Sequence, residues 1–537
     1  MFNQTTTPAT AAAGEQRRLF GWPPLRRAIG LLAFSCLAAA AQAQTNDLLL
    51  DLLVKKGIVS QNEAKELRVE AEKLKSESEA LKTNNAFVSG SKWKIGNAIN
   101  SVELFGDVRF RYEGRDARTP TGGLLELDRY RYALRLGLRG DLASDFYYGL
   151  RLETAANPRS PWVTFGTSSS ATGIPYQGPF GKGSAGLDLG QVYLGWRPNS
   201  AIDITVGKMP NPLFTTAMLW DTDINPEGAA EHFKYNIGPA EFFATFSQFL
   251  YQDDNPNIGT FGLYSPNGTS KSNLPFLMAW QGGVKYQLAK DLSFKAAGTL
   301  YNYLGHGTNN TTTAPLAGTP GFSDIYVGEG AGIPVVGASG YPAGSADGFS
   351  YNQTGINNLL ILDFPVEVNF KLLKHQAKVF GEFAENLDGT DRARAAVAAA
   401  ANPLIYPTPL HIPLQKDQYK AYQAGFAVGN GNDLGLVYGT VLKKRTWETR
   451  VYWQHVEQYA LDPNLLDSDF FEGRGNMQGL YAAFAYGFTD ALIGTLRYGY
   501  ASRIDSKLGT GGSNQDVPWV NPISHYQVVQ LDLTLKF

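Results

Sequence analysis

Arg109, Arg111, Arg129, Arg131, Arg135, Arg139 and Arg151 fall on one parity of three neighbouring segments, and Arg497 repeats the pattern near the far end, flanked by Thr495 and Gly499. Guanidinium groups stay charged at any accessible pH, so a row of them sets up an electrostatic field rather than acid–base chemistry. Glu103, Asp107, Glu113, Asp128 and Glu153 lie close enough in the chain to neutralise part of that row. A second cluster runs from Asn211-Pro212-Leu213-Phe214 through Trp220 to Gly228 and carries Asp221, Asp223 and Glu227. Set opposite the arginines, those acids would make a transverse field that sorts hydrated solutes by size and charge. Left in solvent, they would be ordinary loop acids. Asp221, Asp223 and Asn225 also have the spacing of calcium ligands. Pro226 and His232 stand where an EF-hand loop requires Gly and Glu, which weakens the calcium reading.

Catalytic motifs are absent: there is no Gly-x-Ser-x-Gly, no His-Glu-x-x-His and no phosphate-cradling glycine loop. The six histidines are scattered, and the single cysteine, Cys36, lies in a segment expected to be removed. The expectation is a protein that is no enzyme and carries no cofactor. A formal net charge of −2 also argues against a nucleic-acid partner.

Strands must position these residues. Val102–Glu113 alternates Val102, Leu104, Val108, Phe110 and Tyr112 with Glu103, Asp107, Arg109, Arg111 and Glu113. Residues 128–140 set Tyr130, Tyr132, Leu134, Leu136 and Leu138 against the arginines, and the strand after Asp141–Ser144 does the same. Successive strand side chains take opposite faces, so one face is greasy and the other charged. An arginine facing hydrocarbon costs about 2–4 kcal/mol near the midplane, so the charged face must look inward if the sheet spans a membrane. The C-terminal run ends the same way: Val529, Leu531, Leu533, Leu535 and Phe537 oppose Gln530, Asp532, Thr534 and Lys536. An alternation that stops on a terminal aromatic resembles the assembly strand of bacterial outer-membrane barrels, which the barrel-assembly machinery reads. Beyond residue 43 no apolar run reaches the length of a spanning helix, so a membrane crossing requires a closed barrel.

Short turns near 141–144, 198–200, 236–239, 289–290, 371–375, 443–446 and 489–490 alternate with long connections near 114–126, 155–185, 210–227, 251–275, 305–353, 388–417, 460–477 and 504–521. That rhythm predicts an all-β, antiparallel transmembrane barrel of about sixteen strands over 102–537, or about eighteen if Gly429–Asp433 is a hairpin turn. A barrel of that size leaves an aqueous channel, so passive passage of small hydrophilic solutes is the leading expectation. An anion-selective channel, and an adhesin or receptor barrel acting through external loops, remain open beside it.

The N-terminal part reads differently. Arg26-Arg27, an apolar stretch from Ala28 to Ala41 and Ala41-Gln42-Ala43 make residues 1–43 a cleavable signal peptide. Residues 44–86 are expected to be a short periplasmic helical segment. In it Ala64, Leu67, Ala71, Leu74, Ser78 and Leu81 form an a/d seam suited to a coiled coil between protomers, and 87–101 is a linker.

Asp51–Ser60, Trp220–Gly228, Thr446–Arg450, Asp467–Phe470 and the terminal Phe537 together resemble the putative porin families of Gram-negative bacteria that carry a helical N-terminal segment. The resemblance implies an outer-membrane diffusion channel, a homotrimer, with lipid and small hydrophilic solutes as its partners. The chain departs from it at the Ala395–Ala401 insert and the Gly-rich 305–353 loop.

Overall fold

The computed structural model describes residues 96, 98–120, 122–155, 160–166, 186–251, 276–304, 358–400, 414–463, 465–510 and 523–537. The expected signal peptide and coiled-coil segment lie outside the described residues.

The strands in chain order are β1 (Glu103–Arg118), β2 (Leu124–Asp141), β3 (Phe146–Ala155), β4 (Val163–Thr164), β5 (Gly186–Asn199), β6 (Ile202–Lys208), β7 (Glu227–Ile237), β8 (Ala240–Leu250) and β9 (Phe276–Ala289). They continue with β10 (Leu292–Leu304), β11 (Leu360–Leu372), β12 (His375–Asn386), β13 (Lys420–Gly429), β14 (Trp447–Val456), β15 (Met477–Gly487), β16 (Leu492–Arg503) and β17 (His525–Lys536). Each pairs antiparallel with its neighbours, and β17 pairs back onto β1 from Asp107↔Lys536 to Arg118↔His525. The ring therefore holds sixteen strands, with β4 as an extra piece lying on β2 at Arg131 and Tyr132. Closure satisfies the backbone groups that an open sheet edge would leave bare in lipid.

The two faces separate as the alternation requires. Leu531, Leu533, Leu535 and Phe537 are exposed on the outside, whereas Gln530 and Asp532 are buried within. Exposed Leu, Val and Phe side chains belt the ring, joined by Tyr130, Tyr235, Trp280, Trp453 and Tyr498. No helix among the described residues is long and apolar enough to cross a membrane. If the protein crosses a membrane, it does so with its strands.

The structure departs from the sequence reading in four places. β1 and β2 run on to Arg118 and from Leu124, so the first long loop expected at 114–126 is a short hairpin. Buried Arg115 and Ala117 continue the inward row and extend the ladder. Asp128 is not on the charged wall: it faces outward, where Tyr112 donates to it at 2.7 Å. β13 stops at Gly429, and 430–446 adds no strand pair, which leaves sixteen strands in the ring and not eighteen. The Ala-rich insert forms a helix, α1 (Gly389–Ala400), as expected of a run with high helix propensity and Asp391 in its first turn.

If the β17 outer face meets lipid, Leu533→Arg should lower the unfolding free energy of the bilayer-inserted protein by about 2–4 kcal/mol. Denaturant titration measures this. An unchanged midpoint would show that this face is not in hydrocarbon.

Candidate functional site

β1, β2, β3 and β16 carry the arginine row into the lumen, β17 adds Asp532, and each arginine of the row has an acidic partner. At its centre Glu113, wholly buried, takes Arg115 at 3.0 Å and is also paired with Arg129, Arg111 and Arg131. Arg111 reaches across to Asp532 and Asp469, both at 2.7 Å, while the Trp162 ring stacks 4.1 Å from its guanidinium. Arg497 shares Asp532 with it. Further along the wall Arg109 binds Asp107 at 2.6 Å, Arg151 binds Glu153 at 2.9 Å, and Arg135 lies between Glu153 and Asp223. Arg139 pairs with Glu103 at 2.7 Å at the exposed short-turn rim.

Three connections fold inward against this wall. The first, residues 209–226 between β6 and β7, is tied at several points. Phe214 exchanges two hydrogen bonds with Gln281 of β9, Thr215 and Thr216 donate to Glu382 of β12, and Gln191 of β5 donates to Asn225. The second, between β14 and β15, docks on it. Asp221 accepts from the Ser468 backbone and hydroxyl at 3.1 and 2.9 Å, and donates its own N–H to Leu465 at 2.6 Å. Apolar burial fastens the pair. Met218, Leu219 and Trp220 pack in one cluster with Leu465, Leu466, Phe470 and Phe471 and with inward-facing Phe249, Tyr452 and Tyr481. Each such side chain is worth roughly 1.5–3 kcal/mol when buried, whereas the largely buried Arg135–Asp223 and Arg111–Asp469 pairs lose much of their Coulombic gain to desolvation, so apolar packing keeps the loops inside.

The third connection, 430–446, enters from the short-turn end. The buried Glu448 carboxylate accepts the N–H groups of Gly435, Leu436 and Val437 at 2.6, 2.6 and 3.3 Å, and also holds Arg450 at 3.0 Å. Arg497 donates to the Val437 carbonyl at 3.1 Å and Lys536 to that of Gly439. Gly439 sits at φ 65°, in the left-handed region that lets the segment turn there.

Between these connections and the wall is a cavity of about 530 Å³, reached by Arg109, Arg111, Arg135, Arg151, Asp223, Asp469 and Tyr438. Its lining carries seven basic and six acidic side chains. Asp221 and Asp223 are thus brought to the lumen, and Asp223 to Arg135 itself. Glu227 is not part of this cluster: it opens β7, exposed, and pairs with Lys208 at 2.8 Å. The oxygens considered for calcium point apart, Asp221 to Ser468, Asp223 to Arg135 and Asn225 to Gln191.

Sequence reasoning gave no site role to Trp162, Glu448, Asp467 or Asp469, although Thr446–Arg450 and Asp467–Phe470 carry three of them. Apolar pairs such as Leu465-Leu466 and Phe470-Phe471 in a connection read as external were the available signal, because solvated loops rarely carry them. Electrostatics differ sharply among the loop acids. Burial, then the nearby Asp223 and Asp467 carboxylates, pushes Asp221 well above the usual range. Burial also works to raise Asp223, but Arg135 and Arg109 outweigh it and hold it low. Burial and the adjacent Asp469 push Asp467 up to about 7.

A carboxyl raised in the folded state favours the docked loops fully below its unfolded value near 4 and loses that contribution as pH climbs through about 7. Raising the pH from 6 to 8 should therefore loosen the β14–β15 connection and shift zero-current potentials toward cations, and Asp467→Asn should flatten the change. Bilayer recordings in a salt gradient test this; an identical pH profile in Asp467→Asn would refute the assignment.

The sequence matches the family model described as "Putative porin" over residues 124–537. Solved structures similar to the chain include an anion-selective porin from Comamonas acidovorans at 11% identity, covering 81% of this chain and 99% of that one with a TM-score of 0.40. In-vitro folded OmpT of Vibrio cholerae is similar at 10% identity, 81% and 97% coverage and a TM-score of 0.36. A mutant of Rh. blastica porin is similar at 10% identity, 81% and 100% coverage and a TM-score of 0.35. No curated protein matches the sequence.

Proposed function

From the premise that this chain belongs to the putative porin family of outer-membrane channels, we propose that small hydrophilic solutes and ions diffuse passively along the arginine wall and are filtered where the inward connections narrow the lumen. The observation that carries this reading is the Asp223–Arg135 contact, which sets an inward-folded acid against the basic wall beside a cavity of about 530 Å³. Opposed charges across a narrow aqueous path orient dipolar solutes and exclude large ones. The packed loop cluster confines that path to one side of the lumen.

Strong anion selectivity has less support, because the seven basic lining groups face six acidic ones. Export by a cleaved signal peptide, homotrimeric assembly through the N-terminal seam, and recognition of the last strand by the barrel-assembly machinery belong to the same proposal. The outward row of Leu531, Leu533, Leu535 and Phe537 supports the last of these.

Asp223→Asn tests the filter. Removing one charge about 4 Å from a passing ion changes its energy by about 1 kcal/mol in a water-like path, roughly a fivefold change in relative permeability. Reversal potentials should move toward anions by about that ratio, as Arg135 is left partly uncompensated. Unchanged selectivity and conductance would remove Asp223 from the path.

A further inference from the structure

Away from the arginine wall, the 209–226 connection covers a second recess that the channel reading does not use. Residues 212–215 form one side of a cavity of about 260 Å³, and the inner faces of β7, β8, β9 and β10 form the other. Two of its residues, Lys234 and Glu241, stand close to the β7–β8 turn, so the recess lies on the short-turn side of the connection. Gln281 exchanges hydrogen bonds of 2.9 and 2.8 Å with the Phe214 backbone and so fastens the connection over it.

The charges around this recess do not balance. Strand parity brings Lys234, Lys285, Lys295 and Lys378 to the inner face here, together with Glu241 and Glu367. Lys378 takes Glu367 at 2.7 Å, and Asn369 donates to the same carboxylate at 3.2 Å. Lys295 faces Glu367 in the β10–β11 register but finds it already held. Glu241 faces Lys285 in the β8–β9 register. Among the described residues neither Lys234 nor Lys295 forms an ion pair. An ammonium partly withdrawn from water and lacking a carboxylate favours any anion that can reach it.

A second observation says what kind of anion. The Lys295 ammonium lies 3.9 Å from the centre of the Phe214 ring and 5.2 Å from that of Phe243. Ring faces attract an ammonium but leave its charge uncancelled. Pro212 and Leu213 extend the apolar lining, and His232 stacks on Phe243 with ring centres 6.2 Å apart. His232 spends Nδ1 on Thr245 Oγ1 at 2.8 Å, which leaves Nε2 as its other polar atom. A strongly hydrated inorganic anion would shed water against such a lining and gain little in return. A carboxylate on a compact apolar body sets its charge at the lysines and its body against the rings.

We propose that this recess binds one small organic monocarboxylate, with Lys295 and Lys234 holding the carboxylate and Leu213, Phe214 and Phe243 covering the body. Phe214 belongs to the connection and the lysines to the wall, so an occupied recess ties one to the other. The inference does not rest on the channel reading, because binding is measured without current.

Saturation-transfer NMR of the folded protein in lipid nanodiscs tests it, with benzoate as the probe and empty nanodiscs as the blank. The expected result is a saturable benzoate signal in the millimolar range, weakened about tenfold or more by Lys295→Met, which keeps a long stem over the rings. Lys290→Gln, an exposed lysine in the β9–β10 turn, should bind like wild type. Should Lys295→Met fail to fold, Lys234→Gln, an exposed substitution, must weaken benzoate severalfold, and unchanged binding there would overturn the site. No saturable signal from the wild type at tens of millimolar would also overturn it, as would equal binding by wild type and Lys295→Met. Benzyl alcohol saturating at the same concentration as benzoate would refute the anion assignment. Inorganic phosphate displacing benzoate at equal concentration would refute the organic one.

Discussion

Backbone closure is the constraint on which the rest of this structure depends. In hydrocarbon an unpaired N–H or C=O costs several kcal/mol, so a sheet that crosses lipid must have no edge. The seam from Asp107↔Lys536 to Arg118↔His525 meets that requirement and fixes the register of the whole ring. Once the register is set, parity decides everything else: Leu531, Leu533 and Leu535 go outside, and Gln530 and Asp532 go inside. The odd-numbered arginines of β1 and β2 have nowhere else to point.

A wall of buried guanidinium groups creates a second requirement, because unpaired charges in a confined space are costly. Strand acids meet part of it, as Glu113 does for Arg115 and Arg129. The remainder is met from the connections, by Asp223 on Arg135, Asp469 on Arg111 and Glu472 on Arg115. The arginine row thus also specifies where the inward connections settle. Their apolar residues supply the larger share of the holding energy. The cavity is what that packing leaves over.

The barrel was legible because its signal is repeated in every strand. Alternation survives local irregularity, and the inward assignment of Arg109, Arg111, Arg129, Arg131 and Arg135 followed from energy alone. Asp128 was misassigned because proximity in sequence was allowed to outrank parity: Arg129 and Arg131 are odd, and Asp128 is even. The 430–446 segment was unreadable for a different reason. Its position depends on Glu448 gathering three backbone N–H groups, a contact between local chain and strand that no periodicity encodes. Trp162 likewise reaches the arginines only because β4 adds to β2. Glu227 carried the same charge as Asp223 but stood at the strand start, where the backbone turns it away.

The central claim is that solute moves along the arginine wall and not through the packed half of the lumen. The sole native cysteine, Cys36, lies far ahead of the barrel, so introduced thiols can report the path. Conductance can be followed in planar bilayers while a charged thiol reagent reacts with Thr534→Cys, beside the cavity, or Thr245→Cys, fully buried on β8. The account predicts a stepwise change in current for Thr534→Cys and none for Thr245→Cys. The reverse pattern, or equal effects at both positions, would contradict it.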